Sequence, residues 1–150
     1  MSTLNIGCGN RPLANAVNQD RTRHSTHVDQ AFDLEEFPWP LPNDSFEQVV
    51  ARDVLEHIRP DHFYGVMDEI HRICQEAGRL HVQVPQAGSL NAIIDPTHWR
   101  GFHLKSFDFL DPRTRLGRAS WTTDRRWALL KAEQIRGSDV NLSFVLEPIK

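Results

Sequence analysis

Only two cysteines, Cys8 and Cys74, occur among the 150 residues of this chain. Placed so far apart they make no disulfide framework, and there is no CxxC pair to hold zinc. No apolar run approaches the ~18 residues that a membrane span requires. The first twenty residues also lack the basic-then-apolar layout of a secretory signal. These absences point to a reduced, cytoplasmic chain with no membrane partner. An excess of basic charge is missing too: the formal net charge is -3. That disfavours a dedicated duplex-DNA binder, whose affinity would come mainly from phosphate neutralisation. No internal repeat appears, and the only biased stretch is the short FPWPLP.

What is present fits one globular domain, 1–150, with 39% hydrophobic and 25% charged residues. A chain of this length buries roughly 68–70% of the surface it exposes when unfolded. The charge is unevenly placed. Residues 1–75 carry 12 acids and 6 bases, whereas residues 76–150 carry 8 acids and 11 bases, so the two halves are expected to face different ligands.

TLNI reads as a short first strand, NAVNQD as a second ending at Asp20, and HVDQAFDL as a third. FPWPLPNDSF is a stiff connection whose prolines lack backbone donors, which puts it outside the sheet. FEQVVARD supplies a strand whose Val49-Val50-Ala51 centre suits burial on both faces. A helix is expected from Asp61 to Ala77, because Phe63, Val66, Met67, Ile70, Ile73, Cys74 and Ala77 recur at spacings of three and four. Gly78 would end it with a positive φ. RLHVQV is a further strand, stopped by Pro85, and RWALLKAEQI and NLSFVLEPI form a hairpin across RGSD. This order predicts an α/β fold: a mostly parallel twisted sheet with an antiparallel C-terminal edge hairpin. Residues 86–120 show little periodicity, and loops of that length are usually functional or disordered. Phe102, Phe107, Phe109 and Leu110 argue that the segment docks on the body.

The first strand runs into Gly7-Cys8-Gly9. Glycine there permits a sharp turn and lets a ligand lie against bare backbone, although a plain tight turn needs the same residues. Two phosphate cradles are absent. A dinucleotide GxGxxG would need glycine where Pro12 stands, and a P-loop would need GKS or GKT where positions 12–14 read PLA. The turn therefore suits a ligand without a pyrophosphate.

Four motifs in order, LNIGCGN, NQD, DLEEFPWPLPNDSFEQVV and ARDVLEHI, resemble those of the class I S-adenosylmethionine-dependent methyltransferases, in particular the small type 11 branch. The resemblance covers residues 4 to about 110. It implies a Rossmann-like fold with S-adenosyl-L-methionine as cofactor. Asn5, Gly7, Cys8 and Gly9 match the motif bordering the cofactor's methionine part, and Asp20 matches the acid that holds the ribose diol. Asp33 matches the acid that accepts from the adenine amino group, with the Leu34 N–H beside it. Ala51, Arg52 and Asp53 match the fourth-strand end, whose carbonyls would meet the ammonium. Only 10 residues separate Gly9 from Asp20 and 12 separate Asp20 from Asp33, too few for full crossover helices. Reduced crossovers and no N-terminal lid helices are therefore expected. Asp29, 20 residues after Gly9, is a rival for the ribose acid.

Alignment of donor and acceptor is the largest contribution to an in-line methyl transfer, and a general base adds less. The candidates for that base are His57, with Asp53 at the strand end, and His98, with Asp95 three residues earlier. Each histidine could equally be a packing or loop residue. His24 and His27 in HSTH have metal-ligand spacing, but no third and fourth ligand lie nearby in sequence, so no metal is expected. His71 and His81 read as helix-face and strand-face residues, and Trp39 as a hydrophobic cover that could close over adenine. Residues 98–131 hold eight Arg or Lys against three Asp, either a solvated face or a surface for an anionic acceptor. The expected activity is methyl transfer to O or N of a small-molecule or glycan acceptor shaped by residues 86–120. RNA stays open as an acceptor, as do a non-catalytic cofactor-binding module and a homodimer that completes the site.

Overall fold

A computed structural model describes residues 2–120 and 123–150. Seven strands form one sheet in the order β3-β2-β1-β4-β5-β7-β6. The parallel part comprises β1 (Thr3–Ile6), β2 (Val17–Asp20), β3 (Gln30–Ala31), β4 (Phe46–Arg52) and β5 (Cys74–Pro85). The C-terminal hairpin of β6 (Arg126–Arg136) and β7 (Val140–Ile149) joins through β7, antiparallel to β5. The central strands β1 and β4 pair Leu4 with Val49 and Ile6 with Ala51, all fully buried, as expected of strands covered on both faces.

The connections β1 to β2, β2 to β3 and β3 to β4 carry no helix. The β4 to β5 crossover holds α1 (Phe63–Ile73), which presses Phe63, Val66, Met67, Ile70 and Ile73 into the core. Trp39 and Leu41 of the proline-rich connection are buried in the same core. Trp39 directs its Nε1–H to the Leu34 carbonyl, 3.0 Å away, and so serves as a packed cover.

The sequence pattern errs at several edges. The third strand is only Gln30–Ala31, so Asp33 lies beyond it in a turn. α1 stops at Ile73, because β5 begins at Cys74 and takes Cys74 and Ala77 into the sheet. The left-handed residue is Ala77 (φ 60°), not Gly78. Gly78 is small for another reason: a Cβ there would lie 2.8 Å from Cys74 Sγ and 2.9 Å from the Gln75 carbonyl oxygen. Residues 86–120 contain α2 (Leu90–Ile94), a 3-10 turn at Asp108–Leu110 and α3 (Arg115–Ala119). Phe102, Phe107 and Leu110 are buried as expected, but Phe109 is 43% exposed.

Candidate functional site

The strand-end turn is built from backbone and amide side chains. Gly7 and Gly9 have φ of 59° and 51°. The Gly7 N–H donates to Gln19 Oε1 (3.1 Å), the Cys8 N–H to the Gln19 carbonyl (2.9 Å) and the Gly9 N–H to Asp20 Oδ2 (2.7 Å). Gln19 is fully buried, and its amide continues to the Phe32 carbonyl, so it ties the turn to the chain leaving β3. Sequence reasoning passed over Gln19, because a neutral amide in a strand carries no motif. Asn5 is also buried. It donates to Asn18 Oδ1 and the Arg11 carbonyl, bracing the turn from beneath. Cys8 is buried, with its thiol held above the ordinary range by burial and by the nearby Asp20 carboxylate.

HSTH serves this turn as well. His27 reaches the Gly9 carbonyl (2.8 Å) and Ser25 Oγ (2.7 Å), while His24 stands 3.6 Å from Asp20. No metal-ligating group forms around either histidine among the described residues.

A cleft of about 180 Å³ opens at these strand ends, lined by Gly7, Gln19, Asp20, Arg21, Asp33, Leu34, Glu35, Val54, His57 and Ile58. Asp20 and Asp33 thus share one cavity with Leu34. Arg21 bridges its mouth, its Nε 3.0 Å from Asp33 Oδ2. Asp29 does not line the cleft. Its carboxylate accepts from the Asn18 N–H (2.8 Å), a bond that fastens the start of β2.

The fourth-strand end departs from the expected pattern. Ala51 and Arg52 border a separate small depression with Val50, His81, Val82, Gln83 and Ser143, rather than the cleft. Asp53 (φ 52°) turns the chain, donates its N–H to the Gln83 carbonyl and pairs with Arg11 at 2.6 Å, so its carboxylate does not serve His57. Val54, His57 and Ile58 supply this wall instead.

At the far end of the cleft a 3-10 turn, Leu55–His57, presents His57. His57 also lines a second groove with Arg21, Glu35, Arg59, Pro96, Thr97, His98 and Trp99. The His57 and His98 rings meet edge to face, with centroids 4.6 Å apart. Asp95 lies behind both: its Oδ1 accepts from Thr97 Oγ1 (2.6 Å), which lies 2.9 Å from His57 Nδ1, and its Oδ2 is 3.7 Å from His98 Nε2. Because the Thr97 hydroxyl donates to Asp95, it accepts from His57, which puts the imidazole proton on Nδ1 and leaves Nε2 with its lone pair. The structure brings His57, His98 and Asp95 together at the groove, while Asp53, paired with Arg11, meets Asp95 and His98 in a separate depression. It adds Glu56, which is buried and has its pKa pushed up to about 7, chiefly by burial. Burial and the neighbouring His98 lower the His57 pKa.

A family model described as a methyltransferase domain matches residues 14–82. No curated protein sequence matches the chain. Among solved structures, the chain is similar to an S-adenosylmethionine-dependent methyltransferase from Archaeoglobus fulgidus, with a TM-score of 0.63 and 14% identity over 96% of this chain and 85% of that one. It is also similar to the N-methyltransferase NodS from Bradyrhizobium japonicum, in complex with S-adenosyl-L-homocysteine, with a TM-score of 0.69 and 14% identity over 99% and 78%. A third similar structure is the Burkholderia thailandensis 1,6-didemethyltoxoflavin-N1-methyltransferase, with a TM-score of 0.66 and 14% identity over 99% and 71%. The sheet order and these likenesses identify the fold as the Rossmann-like methyltransferase fold.

Proposed function

We propose that the chain is a class I S-adenosylmethionine-dependent methyltransferase of the type 11 branch and that it transfers a methyl group to an oxygen or nitrogen of a small-molecule or glycan acceptor. The observation that carries this reading is one cavity holding Gly7, Asp20, Asp33 and Leu34 that runs past His57 into a second, polar groove.

The donor set of the cleft fits the cofactor. Two carboxylates, each able to accept several hydrogen bonds, stand among the apolar walls of Leu34, Val54 and Ile58. That combination suits a ribose diol, a purine amino group and a positively charged sulfur. S-adenosylmethionine, when bound, would supply a methyl group whose carbon an acceptor atom attacks in line, the C–S bond breaking with its electron pair left on sulfur so that S-adenosylhomocysteine departs. Asp20, which also accepts from the Gly9 N–H, would hold the diol, and Asp33, now paired with Arg21, would accept from the purine amino group. Arg21 is exposed, so releasing its ion pair costs about 0–1 kcal/mol.

On the acceptor side, His57 and His98 form the polar floor of the groove and Trp99, 58% exposed, offers an aromatic wall. Arg21 and Arg59 on the same groove suit an anionic acceptor. The basic run of residues 98–131 favours a small acceptor over RNA, since much of it serves the fold. Arg100 donates to the Ile58 carbonyl, Arg113 to Asp111, Arg118 to the Arg113 carbonyl and Arg126 to the Ser120 carbonyl.

Calorimetry with S-adenosylmethionine and S-adenosylhomocysteine tests the cleft. We expect saturable binding, weakened at least tenfold by Asp33→Ala and unchanged by Asp29→Ala, with melting curves confirming that both variants fold. No heat at millimolar ligand, or full affinity in Asp33→Ala, would overturn the assignment. A methyl-radiolabel screen against pooled metabolites, polysaccharide and RNA then identifies the acceptor class.

A further inference from the structure

One corner of this site is more than a polar wall. Glu56, His57 and His98 each bring one potential ligand atom within 4.8 Å of the other two. Glu56 is 1% exposed and the His98 side chain 9% exposed, yet Glu56 Oε2 and His98 Nδ1 have no hydrogen-bond partner. Buried polar atoms are ordinarily paired, and leaving a carboxylate oxygen and an imidazole nitrogen unmatched is costly. A third group stands in the same corner: His57, whose Nε2 retains its lone pair. Three electron-rich atoms thus converge with no positive charge between them, and no ion pair to Glu56 is present among the described residues.

We propose that Glu56, His57 and His98 bind a divalent first-row transition-metal ion of the zinc class at the junction of cleft and groove. Two imidazole nitrogens and one carboxylate oxygen are the donors of open, three-ligand zinc sites, and the nitrogen share selects against Mg²⁺ and Ca²⁺, which prefer oxygen. Ligand atoms in such a site lie about 3.4 Å apart at bond lengths near 2.0–2.1 Å, so the corner closes by roughly 1.5 Å at most. Support behind the ligands is already in place. Asp95 orients His57 through Thr97 and stands beside His98 Nε2, the carboxylate–histidine arrangement that fixes ligand tautomer and direction. With three protein ligands, at least one coordination position remains open, and His57 and His98 both face the groove. That position would receive an oxygen or nitrogen of the acceptor. This last consequence rests on the methyltransferase reading, whereas metal binding itself does not.

The test titrates chelator-treated protein with Zn²⁺, Mn²⁺, Co²⁺ and Mg²⁺ by calorimetry, and follows Co²⁺ by its visible absorption. One Zn²⁺ or Co²⁺ per chain at micromolar Kd or tighter, with Mg²⁺ at least 100-fold weaker, is the expected result. Glu56→Gln and His98→Ala should each weaken binding at least tenfold and alter the Co²⁺ spectrum, and Thr97→Val should weaken it by a smaller factor. His103→Ala, outside the corner, should change neither. Stoichiometric binding that survives both Glu56→Gln and His98→Ala, or no binding up to about 1 mM metal, would overturn the proposal. S-adenosylmethionine affinity measured on Glu56→Gln keeps this failure distinct from failure of the cofactor site.

Discussion

Gly7 shows how one atom can be decisive. A Cβ at that position would sit 2.5 Å from Val54 Cγ2, and its φ of 59° is strained for any L side chain. Gly9 shares the left-handed backbone, but a Cβ there would meet nothing within 4 Å. The two glycines therefore fail differently. Gly7→Ala should lose both a steric fit and a backbone preference, about 2–4 kcal/mol in all, whereas Gly9→Ala should lose only the ~1 kcal/mol backbone part. Chemical denaturation of both variants measures the difference. Adding Val54→Ala to Gly7→Ala should return part of the loss, so the double variant is more stable than the sum of the single changes; strict additivity would remove the steric explanation. At this scale the glycines and the paired acids could be read from sequence, because each has a chemistry that few residue types share. Gln19, Val54 and Glu56 could not, since their roles depend on which distant groups the sheet brings beside them. The same reason explains why Asn5 reads as a ligand-facing residue yet points to Asn18.

Among the elements, the helix-free link between β1 and β2 is the most telling. Where a full crossover would bury a helix, this chain uses Asn18, whose amide accepts from Asn5 and the Leu13 N–H and donates to the Leu13 and Ala16 carbonyls. Short spacing in the sequence foretold the missing helix; it did not reveal the amide that replaces it. The segment before β6 is held by a charged analogue of that device. Asp111 is buried, accepts from Arg113 and from the Leu129 N–H, and has its pKa pulled down to about 2, first by the Arg113 hydrogen bonds. A carboxyl whose pKa is lower in the folded than in the unfolded chain stabilises the fold above its unfolded value, near 3.9, and loses that contribution as pH falls toward the folded value. The ionised group should therefore contribute about 2 kcal/mol at neutral pH. Urea melts of the wild type and Asp111→Asn from pH 6 to pH 2 should show a gap of that order that closes between about pH 4 and pH 2. A gap independent of pH would mean that packing, not charge, explains the role of Asp111.

Across the molecule, the order of strands, one helix and a terminal hairpin was enough to foresee a mostly parallel sheet with an antiparallel edge hairpin. The order that places β7 between β5 and β6 lies outside what local pattern can reveal, because it is fixed by pairing between segments some sixty residues apart. That order sets the function-bearing geometry. The cleft takes its walls from the turn after β1, the end of β2, the turn after β3 and the 3-10 turn after β4, four connections held by few elements of their own. A ligand touching all four ties them together and binds the folded chain alone. Its effect on stability should then follow mass action, about 2.7 kcal/mol at a ligand concentration 100 times Kd. For a domain of this size each kcal/mol moves the melting temperature by roughly 2–4 °C. S-adenosylhomocysteine at that ratio should therefore raise the midpoint by about 5–10 °C in a calorimetric scan. Asp33→Ala should show a much smaller rise at the same ligand concentration, and adenosine, which lacks the amino-acid arm, a smaller one than the full ligand. An equal rise with adenosine would confine binding to the Asp20–Asp33 side and leave the Gly7–Gly9 turn without a ligand.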